Sequence, residues 1–492
     1  MLAQSDMQDA QPATALELLL LAGRQLDASE DARSTLHRAA SLAPDDAGIY
    51  RALAIAFRAA GLNEDAIAAE MAAIALEQRN ALMLYNLATS YLIMKRPQPA
   101  EKWYRAALRV DPELVVAHQN LASILELDGR HAQAQYHRDQ AYLRQSVFIE
   151  QTDSAQRTVL ILCAAATGNV PIDYLLPKAR NNRIKWMMQY ANDAQHANLP
   201  PYDLVFNAIG DQDVSAVSQA AVGRFLRDCR KPVLNPPEAI ACTSRELIPG
   251  LLDGIEHVRI PRTVRLLSGE QPVDIVRHSG LTLPVLARPL GSHGGDGLLL
   301  CDTDAELEQA VSGKHDYYLS AFHDYRSEDG YYRKYRVVFI DRQPFPYHLA
   351  IADQWMLHYV RADMLSQQWK RDEESRFLQD PAAVLGAAAM DALRTIGQRL
   401  DLDFCGIDFS MLPDGRLLVF EANATMLVHL EEHHPALMFK NPYVQQILNA
   451  FDAMLIDRLA SVSEAGRRES SHTMVSCDEG LTMRGTEVRV IA

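Results

Sequence analysis

The stretch Leu402–Asn423, LDFCGIDFSMLPDGRLLVFEAN, contains two apolar, strand-like runs separated by the turn-forming insert PDGR at 413–416. Apolar runs on either side of a short Pro-Asp-Gly insert predict a β-hairpin. If those four residues form the loop, Leu412 pairs with Leu417. This predicted hairpin is the centre around which we interpret the rest of the chain.

The predicted register brings polar side chains together on the hairpin. Asp408 lies opposite Glu421, and Asn423 lies opposite Gly406, which has no side chain. Because side chains alternate along a strand, Glu421 and Asn423 share one face. Two carboxylates and an amide oxygen are hard ligands that suit Mg²⁺. The alternative interpretation is a surface hairpin whose polar face meets water.

Length and charge limit the function classes. A chain of 492 residues is expected to form more than one domain. Its net charge of −15 argues against a nucleic-acid partner, because such binding depends on Lys and Arg that neutralise phosphates. No stretch is long and apolar enough to predict a membrane span. The six cysteines are scattered without a CxxC pair, which favours reduced thiols and a cytoplasmic location.

Residues 13–148 repeat with a period of 34 residues. Small residues recur at fixed places in each repeat, as at Ala88, Ala100 and Ala107, and this recurrence is typical of stacked helix pairs. The pattern is that of tetratricopeptide repeats, and we count four over residues 1–150. Glu70 and Arg138 occupy positions where an aromatic side chain normally fills the space between helices.

A short polar linker at 151–157 precedes an alternating α/β region. Strands are predicted at 158–163 and 203–208, with a helix at 219–229 between the second strand and a third at 231–235. Strands that alternate with helices predict a parallel sheet covered on both faces. No GxGxxG or GxxxxGK[ST] motif occurs, so neither a dinucleotide site nor a P-loop is predicted.

A glycine-rich segment at 291–297 is predicted to lie between two strands, at 282–289 and 298–301. Backbone N–H groups of such a loop can approach phosphate oxygens, although a mobile surface turn has the same composition. The loop residues that we assign to phosphate binding are Ser292, His293, Gly294 and Gly295. Arg288 lies on the strand before the loop, where it can contact an α- or β-phosphate.

Two cations share one face of the predicted strand 332–340. Lys334 and Arg336 alternate with apolar residues. Cations on the inner face of a strand are costly unless they meet anions, which indicates a phosphate or a carboxylate ligand. A solvent-exposed edge strand is the alternative interpretation. A helix at 381–400 then leads into the hairpin, another is predicted at 435–459, and residues 460–492 are predicted to be disordered apart from a lone strand at 487–491.

The order of these segments over about residues 158–455 resembles the ATP-grasp superfamily of carboxylate–amine ligases, which includes D-alanine–D-alanine ligase and glutathione synthetase. The resemblance rests on NPPEAI at 235–240, IPRT at 260–263, the strand–glycine loop–strand at 284–300, KYRVVFID at 334–341, and GIDF with EAN in the hairpin. It implies an α+β ATP-grasp fold at 266–459, after an α/β subdomain at 158–265.

The resemblance also implies roles for individual residues. Asp408, Glu421 and Asn423 correspond to the ligands of two Mg²⁺ ions, with Mn²⁺ as an alternative. A hinge beside the adenine corresponds to Ser320, Ala321 and Phe322. Arg288 and Arg245 stand where the family has nucleotide-binding lysines. Each replacement keeps the charge but exchanges a point charge for a bidentate fork.

The implied chemistry is the phosphorylation of a carboxylate by ATP, followed by attack of an amine on the acyl phosphate. Arg336 would stabilise the acyl phosphate, and Arg245 and Arg288 would hold the nucleotide. The repeats offer a surface for a peptide or protein, while the amine is expected to be a small molecule or an amino acid. Three alternatives remain at this point: a small-molecule ligase whose repeats form a homo-oligomer, carboxylate phosphorylation without an amine, and a degenerate nucleotide-binding scaffold.

Overall fold

The computed structural model describes residues 14–28, 30–43, 46–77, 80–292, 295–311 and 315–478. The chain divides into two compact units, Met1–Ser146 and Val147–Ala492. The first is a helical-repeat unit and the second a mixed α/β unit, as the sequence predicts. The finer division at residues 265 and 266 stays a prediction.

The described part of the first unit consists of helices arranged in consecutive pairs. Corresponding helices of the last three pairs begin 34 residues apart, which confirms the predicted period. The helices are α1 Ala15–Asp27, α2 Arg33–Leu42, α3 Ala47–Ala59, α4 Asn63–Glu77, α5 Ala81–Ile93, α6 Pro97–Val110, α7 Val115–Leu127 and α8 His131–Tyr142.

The recurring alanines lie where neighbouring helices approach each other. All are buried, and a larger side chain at these positions would force the helices apart. They are Ala54, Ala66, Ala73, Ala88, Ala100, Ala107, Ala122, Ala134 and Ala141. Tyr104 fills the space between the two helices of the third pair, and its hydroxyl accepts a hydrogen bond from Asn120 Nδ2 at 2.8 Å.

Ion pairs replace this aromatic residue in the second and fourth pairs. Buried Glu70, at the position of Tyr104, binds Arg58 of the preceding helix. Arg138, at the same position of the last pair, binds Glu126 at 2.7 Å, again on the preceding helix. The two pairs occupy the same two repeat positions with the charges exchanged. The departures from the repeat pattern are therefore compensated within each helix pair.

The described residues of the second unit form three sheets and the helices that cover them. Its strands are β1 Val147–Glu150, β2 Arg157–Cys163, β3 Asn181–Met187, β4 Leu204–Asn207, β5 Val233–Leu234, β6 Val258–Arg259, β7 Thr263–Leu266, β8 Val285–Pro289, β9 Leu299–Cys301, β10 Tyr317–Ala321, β11 Tyr332–Ile340, β12 Gln343–Ala352, β13 Phe404–Met411 and β14 Leu417–Asn423. Its helices are α9 Asp193–Ala197, α10 Gln212–Asp228, α11 Pro237–Ala241, α12 Ile248–Leu251, α13 Pro272–Ser279, α14 Asp304–Ala310, α15 Gln368–Gln379, α16 Pro381–Leu385, α17 Ala387–Leu400 and α18 Asn441–Asp478.

The first sheet has the strand order β1-β3-β2-β4-β5. Strands β2 to β5 are parallel, as predicted, and β1 pairs antiparallel to β3 at one edge. Strand β3 was not predicted, because its Asn, Arg and Lys residues hide the apolar pattern. Residues 147–150 belong to this sheet, so the repeat unit ends before the predicted residue 150.

The four-stranded sheet is antiparallel, in the order β7-β10-β8-β9. Strands β8 and β9 form the predicted hairpin around the glycine-rich segment. Strand β7 was not predicted. Because β7 pairs with β10, this sheet joins residues on both sides of the predicted subdomain boundary at residue 265.

The third sheet also has five strands, in the order β12-β11-β13-β14-β6. Its strands β13 and β14 form the predicted central hairpin. One face packs on a hydrophobic cluster that includes Phe377, Leu393 and Phe409. Strand β12 was not predicted. Asn235, from the NPPEAI segment, holds the start of β13: its Nδ2 donates to Phe404 O, and its Oδ1 accepts from Phe404 N.

The helices after β12 differ in part from the predictions. Gly386, with φ of +87°, divides the helix predicted over 381–400 into α16 and α17. Helix α18 continues through Asp478, so the prediction of disorder is wrong for residues 460–478. Residues 479–492, including the strand predicted at 487–491, lie outside the described residues. No helix within the described ranges has the length and hydropathy needed to cross a membrane.

Candidate functional site

A cavity of about 420 Å³ lies between the four-stranded sheet and the third sheet, the one that contains the central hairpin. Strands β7, β8 and β10 form one wall, and β11, β13 and β14 form the other. The structure brings most of the predicted site residues to this cavity. They are Arg245, Arg288, Gly295, Ser320, Ala321, Phe322, Lys334, Arg336, Asp408, Glu421 and Asn423.

Four ionisable side chains form a row across the third sheet. His348 on β12 is opposite Arg336 on β11, Arg336 is opposite Asp408 on β13, and Asp408 is opposite Glu421 on β14. Directly opposite residues project from the same face of a sheet. The row therefore places a cation between a histidine and two carboxylates.

The pairing of Asp408 with Glu421 confirms the predicted register, but the predicted turn is wrong by one residue. Leu417 pairs with Met411 and not with Leu412. A bulge between Asp408 and Phe409 then places Phe420 as an extra residue on β14, which restores the predicted register farther along. Phe420 and Glu421 both line the cavity because of this bulge.

Asp408 is held by two cations. Its carboxylate accepts two hydrogen bonds from the Arg336 guanidinium, at 2.6 and 2.8 Å, and lies 3.1 Å from Lys334 Nζ. Burial alone would raise the pKa of Asp408, but Arg336 and Lys334 outweigh it and hold the pKa far below its usual value. The alternative of an edge strand facing water is therefore wrong for Lys334 and Arg336, since both face this buried acid.

Glu421 has a second pair of cations. Arg245 Nη2 donates to its Oε2 at 2.6 Å, and Arg288 Nη1 lies 3.7 Å from the same oxygen. Burial raises the pKa of Glu421, whereas the charge of Arg245 lowers it, and the net shift is downward. Burial and the neighbouring Arg245 lower the pKa of Arg288. The two predicted replacements for lysine thus converge on one carboxylate.

The glycine-rich segment is attached to Arg288. The Arg288 guanidinium donates to Ser292 Oγ at 3.2 Å and to Ser292 O at 3.0 Å. Gly295 lines the main cavity, whereas Ser292 lines a smaller adjoining cavity with Arg245 and Asn423. His293 and Gly294, which we also assigned to phosphate binding, lie outside the described residues.

Apolar side chains from both walls line part of the cavity. Leu286, Ala321, Phe322, Met356 and Phe420 are among its lining residues. The Phe322 ring makes an edge contact with Trp355, which follows β12, with centroids 5.7 Å apart. Ser320 Oγ is hydrogen-bonded to Thr263 Oγ1 at 2.8 Å, which ties the predicted hinge to strand β7. A flat apolar ring could enter between these side chains.

Sequence reasoning missed the connection between β12 and α15. Trp355, Leu357, His358 and Arg361 from this connection line the cavity. The connection carries no motif and no strong periodicity, and its aromatic and basic composition at 355–361 was the one signal that could have drawn attention to it.

The donor set fits a metal ion only in part. Asp408 and Glu421 are carboxylates on adjacent strands that face one cavity, which is the ligand type that Mg²⁺ prefers. Asn423 does not fit in this arrangement, because its Oδ1 accepts hydrogen bonds from Thr425 N and Thr425 Oγ1, both at 2.6 Å. Among the described residues, no group of three or more His, Cys, Asp or Glu side chains could hold a metal ion.

Comparisons with known proteins add little. No protein-family model matches the chain, and no curated protein matches it. Among solved structures, a crystal structure of MamA is 26% identical with a TM-score of 0.25, covering 27% of this chain and 78% of that one. A second crystal structure of MamA is also 26% identical, with a TM-score of 0.24, covering 26% of this chain and 70% of that one. Likeness at such TM-scores carries no argument about function.

Proposed function

We propose that the second unit is an ATP-grasp enzyme: an ATP-dependent ligase that joins a carboxylate to an amine through an acyl phosphate. One observation carries this proposal. Asp408 and Glu421 lie opposite each other on adjacent strands, and each is paired with two cations, within a cavity that apolar side chains such as Leu286 and Phe322 also line. This combination suits a ligand with a flat base at one end and phosphates at the other.

Electrostatics explains why a phosphoryl-transfer site would need this arrangement. Such a reaction depends on positioning and on neutralising the charge of the transferred group. Arg245 and Arg288 would contact the nucleotide phosphates beside the glycine-rich segment, and Arg336 would face the developing acyl phosphate. The present ion pairs with Glu421 and Asp408 keep these guanidinium groups ordered before a ligand arrives, which lowers the cost of binding.

Mg²⁺, or Mn²⁺ in its place, is part of the proposal. Asp408 and Glu421 would hold it, and the ion would neutralise charge on the phosphates. Both carboxylates are engaged by protein cations in this structure. Metal binding would therefore accompany phosphate binding, when the arginines exchange a carboxylate partner for a phosphate.

We propose that the helical repeats recruit a peptide or protein, with homo-oligomer formation as the alternative role. Stacked helix pairs provide an extended surface that suits such ligands. The carboxylate or the amine would then belong to the recruited partner.

The test measures nucleotide binding first and chemistry second. ATP with Mg²⁺ should raise the melting temperature of the second unit by mass action. Arg288→Met should remove most of that increase, while Arg265→Met should not. Arg265 is a matched control because both arginines lie directly opposite Tyr318, on either side of β10, yet Arg265 binds Asp316 and does not line the cavity.

Chemistry is followed as carboxylate-dependent ADP release, with hydroxylamine as the amine so that an acyl phosphate is trapped as a hydroxamate. Failure of ATP to change the melting temperature would overturn the nucleotide proposal. Stabilisation by ATP without ADP release would favour the second candidate, a nucleotide-binding scaffold. The specific observation behind that candidate is that both oxygens of Asp408 are already held by Arg336.

A further inference from the structure

The ionisable residues that line the cavity are unevenly paired. Five are arginine or lysine and two are carboxylates, a formal excess of three positive charges. Arg245 and Arg288 share Glu421, and Lys334 and Arg336 share Asp408. For the remaining cation, Arg361, the structure places no carboxylate within ion-pair distance among the residues that it describes.

Arg361 is held on an ordered segment. It ends a single 3₁₀ turn, Tyr359–Arg361, in the connection between β12 and α15. Buried Ala362 and Met364 follow immediately, and Lys370 Nζ donates to Ala362 O at 2.8 Å. The turn is therefore anchored directly beyond the arginine.

The other end of the turn is anchored as well. The Tyr359 hydroxyl donates to Glu374 Oε2 at 2.9 Å and accepts from Lys440 Nζ at 2.9 Å. Tyr359 thus points into the protein, whereas Arg361 lines the cavity. The backbone on both sides of Arg361 is therefore anchored, while its side chain is exposed to solvent and accessible to a ligand.

Arg361 and Arg336 line the same cavity, and the charges of both act on His358. The charges that act on His358 are those of Lys334, Arg336, Arg361 and Asp408. Burial, with the charges of Lys334, Arg336 and Arg361, lowers the pKa of His358 and so favours its neutral form. Among the described cations that line the cavity, Arg361 is therefore the one that no carboxylate engages.

We infer that Arg361 binds a second anionic group of the substrate, so that the enzyme acts on a molecule with two carboxylates or on an acidic residue with a free carboxylate. This inference rests on the proposed function, in which Arg336 faces the reacting carboxylate. A planar guanidinium binds a carboxylate through two parallel hydrogen bonds and selects for its shape.

The experiment compares acids that differ in one carboxylate. Succinate, glutarate and adipate are matched with butyrate, pentanoate and hexanoate in the hydroxamate assay with ATP and Mg²⁺. The wild-type kcat/KM for the best dicarboxylate should exceed that of its monocarboxylate partner by about tenfold or more. Arg361→Met should remove this preference and change monocarboxylate turnover by less than about twofold.

Two variants sharpen the comparison. Arg361→Lys keeps the charge without the fork and should fall between the wild type and Arg361→Met. Arg376→Met is the matched control, because Arg376 is exposed on the next helix and does not line the cavity. It should retain the wild-type preference, and all three variants should keep the wild-type melting temperature without ligand.

A binding measurement separates this inference from the proposed function. The same acids are tested for stabilisation of the protein with a non-hydrolysable ATP analogue and Mg²⁺. If no hydroxamate forms but dicarboxylates stabilise the wild type and not Arg361→Met, the inference holds and the ligase proposal fails. If hydroxamate forms with no preference, or Arg361→Met affects both acid series equally, the inference is overturned. Equal binding of both series together with no hydroxamate overturns both.

Discussion

Asp408 and Glu421 face each other across the β13–β14 ladder because Phe420 occupies a bulge beside them. Each carboxylate is also paired with two cations. Arg336 and Lys334 surround Asp408, and Arg245 and Arg288 surround Glu421. The pair is thus the centre of a cationic cluster. The two acids differ in exposure to solvent, and we therefore expect them to contribute unequally to stability.

Neutralising Asp408 should destabilise the protein more than neutralising Glu421. The Asp408 side chain is 3% exposed and has two cationic partners, each partly buried, so Asp408→Asn leaves both without a counter-charge at a cost of about 3 kcal/mol. Glu421 is 20% exposed, and water can partly replace its charge, so Glu421→Gln should cost about 1 kcal/mol. Chemical denaturation of both variants measures the difference. Asp391→Asn, which removes an exposed ion pair with Arg394, is the control. An equal loss for both site variants would contradict the prediction.

The first sheet should require residues 147–150. Glu150, at the end of β1, accepts a hydrogen bond from Arg183 Nε at 2.5 Å, and the Arg183 side chain is fully buried. A chain that begins at Val147 should therefore fold with the stability of the second unit in the whole protein. A chain that begins at Gln151 should lose about 3 kcal/mol, because the buried guanidinium loses a charged partner.

Glu150→Gln in the full-length protein separates the ion pair from the backbone pairing of β1. It should reproduce most of the loss if the charge is what matters. Identical denaturation curves for the chains beginning at 147 and 151 would show that β1 is dispensable and that the predicted boundary at residue 150 was adequate.

Much of the fold could be predicted because its local patterns are strong. The 34-residue recurrence of alanines predicts the helix pairs, and the apolar runs around a Pro-Asp-Gly turn predict the central hairpin. Strands β3 and β12 were missed for physical reasons. In β3, Arg183 is buried by an ion pair, so a charge stands where the pattern expects an apolar residue. In β12, two prolines, Pro344 and Pro346, suggest a loop.

The candidate site was predictable in its residue types but not in its pairing. The register of Asp408 and Glu421 was predicted correctly through two errors that cancel, a turn shifted by one residue and an unrecognised bulge. The ion pairs of these acids could not be predicted, since Arg245 and Glu421 are far apart in the chain. Arg361 was missed for the same reason: only the folded connection after β12 brings it to the cavity.

Stability should fall with rising pH through the titration of Glu374. Burial raises the pKa of this carboxyl to about 7, from an ordinary value of 4.5. Between these values the folded protein binds more protons than the unfolded chain, so the free energy of unfolding decreases as pH rises through this window. The full effect is about 3 kcal/mol.

Glu374→Gln should remove this dependence, because the amide does not titrate. Melting temperatures at pH 5.5 and pH 8 are compared for the wild type, for Glu374→Gln and for the exposed control Glu308→Gln. The control should follow the wild type, and the Glu374→Gln profile should be flatter. Parallel profiles for all three would mean that Glu374 stays ionised in the folded protein.

The last prediction concerns the exchanged ion pairs of the repeats. In the third helix pair, Leu92 and Tyr104 occupy the two positions that Arg58 and Glu70 occupy in the second. A buried ion pair is costly to break but can be replaced by apolar residues of similar volume at little cost. Glu70→Tyr alone should lower the free energy of unfolding by about 1 kcal/mol, because Arg58 loses its carboxylate but is 20% exposed and keeps Ser90 and Asn86 O as acceptors. Arg58→Leu alone should cost about 3 kcal/mol, because it isolates the buried carboxylate of Glu70.

The double variant Arg58→Leu/Glu70→Tyr should recover to within about 1 kcal/mol of the wild type, since it installs the arrangement that already exists around Tyr104. Asn86 corresponds to Asn120, which donates to the Tyr104 hydroxyl, so the new tyrosine would have a donor for its own hydroxyl. Denaturation followed by hydrogen exchange of the α4 and α5 amides measures the cycle within this unit. Additive losses in the double variant would show that the two positions do not act as a pair, and that the exchanged charges of the second and fourth repeats are coincidental.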